Sequence, residues 1–126
     1  MARIVVIDDD RGTRRMVVRA LSEVGHSVEE AVDGAEGLRL AAAAPPELAV
    51  VDILMPGRDG IETIMELRRR QPSLPILAIS GGGVSLSRDD VLVDAHALGA
   101  TEVLRKPFPV SDLRETISRM LRPPSV

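Results

Sequence analysis

The chain has no cysteine, tryptophan or tyrosine, and Phe108 is its only Phe, Trp or Tyr residue. Without thiols there can be no disulfide framework, no thiolate metal centre and no cysteine nucleophile. Without aromatic rings the core has to be filled by Val, Ile, Leu, Met and Ala, and base stacking of the kind single-stranded nucleic acid needs is ruled out. Long hydrophobic runs are missing too. The opening apolar run, Ile4 to Ile7, is shorter than a signal-peptide core or a membrane span and leads straight into Asp8, Asp9 and Asp10, so a cytoplasmic protein with no membrane segment is expected. An excess of positive charge is also lacking. The formal net charge is −3, which offers no global attraction to nucleic acid or anionic lipid. The densest basic cluster, Arg68-Arg69-Arg70, is expected to be a solvated helix end, where cations complement the helix dipole.

What is present is an ordinary globular balance, 44% hydrophobic and 28% charged over 126 residues, enough for one domain and one core. Short aliphatic runs alternate with segments of helical period, a rhythm that predicts parallel strands joined by crossing helices. The strands are expected at Arg3 to Ile7, Ser27 to Ala31, Leu48 to Val51, Pro75 to Ile79 and Glu102 to Leu104. Met16, Val17, Ala20, Leu21 and Val24 mark one face of a first helix stopped by Gly25, and Gly34 to Ala44 forms a second helix ended by Pro45-Pro46. Ile61, Ile64 and Leu67 mark a third, ending before Pro72. Ser87 and Asp90 resemble a capping box for a fourth helix through Leu92, Ala95 and Leu98 to Gly99, and Val110, Leu113, Ile117 and Leu121 mark a fifth. Five such units in a row imply an open, doubly wound α/β sheet with five helices, which gathers ligands at the carboxyl ends of its strands.

The polar residues stand at those ends. Asp8, Asp9 and Asp10 follow the first strand, Asp52 the third, Ser80 the fourth and Lys106 the fifth. Carboxylates crowded at one rim raise each other's pKa and destabilise the fold unless a cation joins them. Mg²⁺ suits this set, since it takes a few hard carboxylate oxygens and leaves positions for phosphate oxygens. His26 and His96 form no cluster that would favour zinc or copper, and each is expected to be a surface or packing histidine. A carboxylate beside Mg²⁺ can act as a nucleophile toward phosphorus, with a lysine ammonium neutralising the phosphoryl oxygens and a hydroxyl donating a further hydrogen bond. Each residue alone has an ordinary explanation as a turn residue or a solvated charge, and their joint order along the chain outweighs it.

Taken together, Ile7-Asp8-Asp9, Asp52 followed by Met55-Pro56-Gly57 and Asp59-Gly60, Ser80 and Lys106-Pro107-Phe108 resemble the response-regulator receiver domains, the CheY-like family, over essentially the whole chain. The resemblance implies a flavodoxin-like five-stranded parallel sheet in the order 2-1-3-4-5, forming a single receiver domain over residues 1–126 with no output domain attached. It implies Asp52 as phosphoacceptor, Asp9 and Asp52 as direct Mg²⁺ ligands, Asp8 as a ligand through water, and the backbone carbonyl of Leu54 as a further ligand. Ser80 would be the switch hydroxyl, Lys106 the phosphate-pairing lysine, and the Lys106-Pro107 peptide bond cis. Asp10 matches no required position and is expected to serve the start of the first helix. The donor would be a histidine kinase or histidine phosphotransfer protein docking beside the first helix and the strand-five loop. Output would be a protein contact, onward phosphotransfer or competition for phosphoryl groups, from a monomer or weak dimer that catalyses only its own phosphorylation and dephosphorylation.

The chain departs from the family's usual pattern at Val103, where receivers usually carry Tyr or Phe, so a swinging ring cannot be the switch. The stretch Gly81-Gly82-Gly83-Val84-Ser85-Leu86 lengthens the path from Ser80 to the fourth helix, and a segment that orders when phosphate draws Ser80 inward is expected there. Two other readings compete. A haloacid-dehalogenase-type phosphohydrolase would use Asp8, Asp10, Ser80 and Lys106, but the chain lacks a paired acidic motif after Lys106 and a cap insertion. A receiver-shaped binding module that never uses its phosphorylation site is favoured only by the missing aromatic.

Overall fold

In the computed structural model, residues 1–53, 59–80 and 96–122 are described here. The strands are β1 (Arg3–Ile7), β2 (Ser27–Ala31), β3 (Leu48–Asp52), β4 (Ile76–Ser80) and β5 (Glu102–Arg105). They pair in parallel in one sheet of order β2-β1-β3-β4-β5, the order expected for a doubly wound, flavodoxin-like domain. The helices are α1 (Arg11–Ser22), α2 (Gly34–Ala43), α3 (Asp59–Arg70) and a C-terminal helix (Val110–Leu121). Residues 96–98 are helical and stop at Gly99, whose φ of +120° suits the end of the expected fourth helix. The rest of that helix, its Ser87 to Asp90 start and the glycine-rich stretch before it lie outside the described residues.

The central strands β3 and β4 are buried along their whole length, as strands covered on both faces must be. The two-residue alternation of β1 sorts its side chains. Val5 and Ile7 join Ile64 and Leu67 of α3 on one face, with Leu38 and Ala41 of α2 packed against them. Ile4 and Val6 join Val17 and Leu21 of α1 and Leu113 and Ile117 of the C-terminal helix on the other. Phe108, the lone aromatic, packs on this second face as one more apolar side chain.

Helix starts follow local chemistry. Asp10 caps α1 by accepting the Thr13 N–H at 2.9 Å, and Asp33 caps α2 by accepting the Glu36 N–H at 2.8 Å. Helix ends required one correction. Val24, expected on the buried stripe of the first helix, is 40% exposed, because α1 ends at Ser22 and the chain has turned away before Val24. The turn is closed by His26 N–H donating to Leu21 O at 3.2 Å around Gly25, whose φ is +95°.

The arginine cluster also differs from expectation. Arg69 and Arg70 do face solvent and pair with Glu66. Arg68 instead folds over the opposite rim of the sheet, donating to Pro72 O at 2.6 Å and to Gly99 O at 3.0 and 2.8 Å. Its planar fork satisfies main-chain carbonyls of two separate connections, which a solvated charge would not do.

Gly60, in the first turn of α3, lies against the end of β3. A Cβ there would sit 2.2 Å from the Asp52 carbonyl oxygen and 2.7 Å from the Ile53 Cα. Because the obstruction is main chain, it cannot swing aside. Gly60→Ala is expected to lower stability by about 1–3 kcal/mol, the usual cost of overpacking. Chemical denaturation followed by far-ultraviolet circular dichroism, which needs no Trp or Tyr, measures it.

Candidate functional site

The strand registers bring the candidate residues to one level. Ile7 lies beside Val51, so Asp8 and Asp52, each one residue further on, are neighbours. Asp52 lies beside Ile79, and Ser80 lies beside Arg105, so Lys106 follows one step beyond Ser80. The Lys106 N–H donates to Ser80 O at 2.8 Å, carrying the β4–β5 pairing out to the lysine, and the Lys106-Pro107 bond is cis, as expected.

Asp8, Asp52 and Ser80 are buried, at 1%, 4% and 4% exposure, while Asp9 is exposed. Asp8, Asp9 and Asp52 each present one carboxylate oxygen within 4.8 Å of the others. Lys106 reaches in from the side, its Nζ 3.4 Å from Asp52 Oδ2. Asp10 does not join them, because its carboxylate is turned to the α1 N-terminus, where hydrogen bonds from Thr13 hold its pKa below the usual value.

Asp8 is the strained member of the group. Loss of water on burial, followed by the charge and side chain of Asp52, pushes its pKa from the usual 3.8 to about 7, against a lowering by the Asp10 N–H and by Lys106. Its Oδ1 accepts that Asp10 N–H at 2.8 Å, but its buried Oδ2 meets no donor among the described residues. The carboxylates of Asp9 and Asp52 lie close by, so a shared proton or a cation would satisfy it. An orphaned carboxylate oxygen in a pocket of three acids fits a hard divalent cation with oxygen ligands. The Leu54 carbonyl and the Met55-Pro56-Gly57 motif lie outside the described residues.

The sequence reading missed Arg14 and Glu30. Arg14 is only 9% exposed and donates from Nη1 to the Asp8 carbonyl at 2.9 Å and from Nε to Glu30 Oε1 at 2.8 Å. The signal was there in part, since Arg14, Val17 and Leu21 share the spacing of one helical face. The two histidines are as expected. His26 Nδ1 accepts the Ala2 N–H at 3.2 Å, and His96 is exposed.

An open parallel sheet with three clustered carboxylates, a lysine and a buried hydroxyl at its carboxyl rim defines a doubly wound α/β domain with its polar site at the strand ends. The chain belongs to the response regulator receiver domain family, which matches residues 4–118. Over 122 residues it is 41% identical to the response regulator MprA of Mycolicibacterium vanbaalenii, an alignment covering 95% of this chain and 50% of MprA. The chain thus spans about half the length of the curated relatives it matches. The receiver domain of NtrX from Brucella abortus superposes with a TM-score of 0.86 at 32% identity, covering 94% of this chain and 97% of that one. The chemotaxis protein CheY4 of Vibrio cholerae superposes with a TM-score of 0.85, also at 32% identity, covering 96% and 99% respectively. The chain is therefore a receiver domain of the two-component response regulators. Among the described residues, no helix is long and apolar enough to cross a membrane.

The raised pKa of Asp8 has a defined consequence for the metal-free protein. Between pH 3.8 and about 7 the native state holds a proton on Asp8 that the unfolded chain has released, so stability falls as pH rises through this window. Asp8→Asn, which cannot ionise, should match the parent near pH 4 and exceed it by roughly 2–4 kcal/mol at pH 8, at about 1.4 kcal/mol per pKa unit. Denaturant unfolding in the presence of a chelator tests this. A stability difference that does not change with pH would show that Asp8 is not the titrating group.

Proposed function

We propose that this receiver takes a phosphoryl group onto Asp52 from a histidine kinase or histidine phosphotransfer protein, in the cytoplasm, with Mg²⁺ held by the acidic cluster. The observation that carries this reading is the placement of Lys106 Nζ 3.4 Å from Asp52 at the edge of three clustered carboxylates. Asp9 and Asp52 would hold the ion directly and Asp8 through water, with the Leu54 carbonyl as a further ligand. When bound, Mg²⁺ supplies charge neutralisation and alignment for the transferring phosphoryl oxygens.

The Asp52 carboxylate oxygen attacks phosphorus, forming an O–P bond as the P–N bond to the donor imidazole breaks and the leaving nitrogen takes up a proton. The Lys106 ammonium pairs with a phosphoryl oxygen, and the buried Ser80 hydroxyl donates to another. Water later cleaves the acyl phosphate, so the domain acts on its own modification and on no external substrate. Ser80, at the end of β4, passes the phosphoryl state to the chain beyond it, and the face of β5 and the C-terminal helix presents it to a protein target. Val103 is partly buried against the core, so no ring takes part in that step. No observation favours the hydrolase reading, since Asp10 serves as a helix cap.

Incubation with acetyl phosphate and Mg²⁺, followed by intact and peptide mass measurement, should place one phosphoryl group on Asp52 and none on Asp52→Asn. Label on Asp8 instead would overturn the reading. Lys106→Met, which removes the ammonium with little change of length, should slow labelling about 100-fold, the typical loss on removing one preorganised donor to developing charge.

A further inference from the structure

Arg14 has no part in the proposed transfer, yet it is one of the few buried polar residues of the domain. A guanidinium at 9% exposure has given up most of its water, and on a stripe shared with Val17 and Leu21 an aliphatic residue would pack at lower cost. What it gains is specific. Its two bonds run to different strand ends, Nη1 to the carbonyl of Asp8 after β1 and Nε to Glu30 in β2. The Asp8 N–H is held from the same side of the sheet, donating to Ala31 O at 3.1 Å. Both main-chain groups of Asp8 are thereby anchored to α1 and to the end of β2.

The peptide unit is planar, so fixing the Asp8 carbonyl also fixes the direction of the Asp9 N–H and the start of Asp9 itself. Asp9 needs such help. Its side chain is exposed and no hydrogen bond holds it among the described residues, yet its carboxylate lies within 4.8 Å of Asp8 and Asp52. Repulsion from those acids would turn it outward to solvent were its main chain free. We propose that Arg14 is a positioning residue that holds the Asp8–Asp9 peptide so that Asp9 presents its carboxylate to the cation site. The inference rests on the acidic cluster being that site.

The sign of the effect on metal affinity separates this role from the alternatives. Arg14 is a cation near a cation site, so by charge alone its removal would tighten Mg²⁺ binding. A merely structural role would lower stability and leave the affinity of the folded protein unchanged. Positioning requires the opposite of the first and more than the second: Arg14→Gln should bind Mg²⁺ about tenfold more weakly, at the low end of losses seen when partners of metal ligands are removed. Arg14→Lys should lose a similar factor, because an ammonium keeps the charge but cannot span both acceptors in the planar fork geometry.

Isothermal titration of Mg²⁺ into the parent, Arg14→Gln and Arg14→Lys, with circular dichroism to confirm folding, gives the result. Weaker binding in both folded variants supports the role. Unchanged or tighter binding in Arg14→Gln, or full affinity in Arg14→Lys, overturns it. Should neither Arg14 variant fold, Glu30→Gln, which releases the other end of the guanidinium, carries the same test: weaker Mg²⁺ binding supports the role and parental affinity overturns it. A parent protein that takes up no Mg²⁺ would instead overturn the cation site itself.

Discussion

Three carboxylates held within 4.8 Å of one another, one of them with a buried oxygen that meets no donor among the described residues, form the constraint around which this domain is organised. Their mutual repulsion works against the fold, and Lys106 offsets it only in part, from 3.4 Å and on one side of Asp52. Main-chain contacts hold two of the three acids in place. Asp8 is fixed by Ala31, Asp10 and Arg14, and Asp52 is the last residue of a strand buried along its whole length. A cation held among these acids would offset that repulsion and add to the stability of the fold.

The parallel sheet supplies the means. Each strand runs in the same direction, so each delivers its terminal polar residue to the same rim, and a register of whole residues sets their heights. Close approach of α3 completes the rim. Gly60 lets the first turn of that helix lie close against the Asp52 carbonyl, where a Cβ would sit 2.2 Å from the oxygen. The far end of α3 is tied in turn to the turn before β4 and the residues before β5 by Arg68. One helix thus touches the acidic rim at its start and the opposite rim at its end.

Two arginines that look alike in the sequence do opposite jobs from most surface arginines. Arg68 directs its fork to main-chain carbonyls at one rim and Arg14 bonds a main-chain carbonyl and the Glu30 carboxylate at the other, whereas Arg69 and Arg70 make exposed pairs with Glu66 that add little to stability. Charge type did not distinguish them. Their neighbours in space did, and those come from segments about thirty residues away in the case of Arg68 and Gly99.

Local pattern was enough to read the strands, the helix caps at Asp10, the stops at Gly25 and Gly99 and the order in which polar residues follow strands, because each depends on backbone preference or on a period of a few residues. It was enough to name Asp8, Asp9, Asp52, Ser80 and Lys106 as candidates. It could not show that Val24 faces solvent or that Arg14 turns inward, since these depend on where a turn closes and on which partner arrives from another strand. The sequence dictated which chemical groups are available and the rim on which they gather. Packing alone settled which acid is dehydrated, which stays in water and which cation holds main chain, because desolvation and hydrogen-bond geometry exist only once distant segments meet.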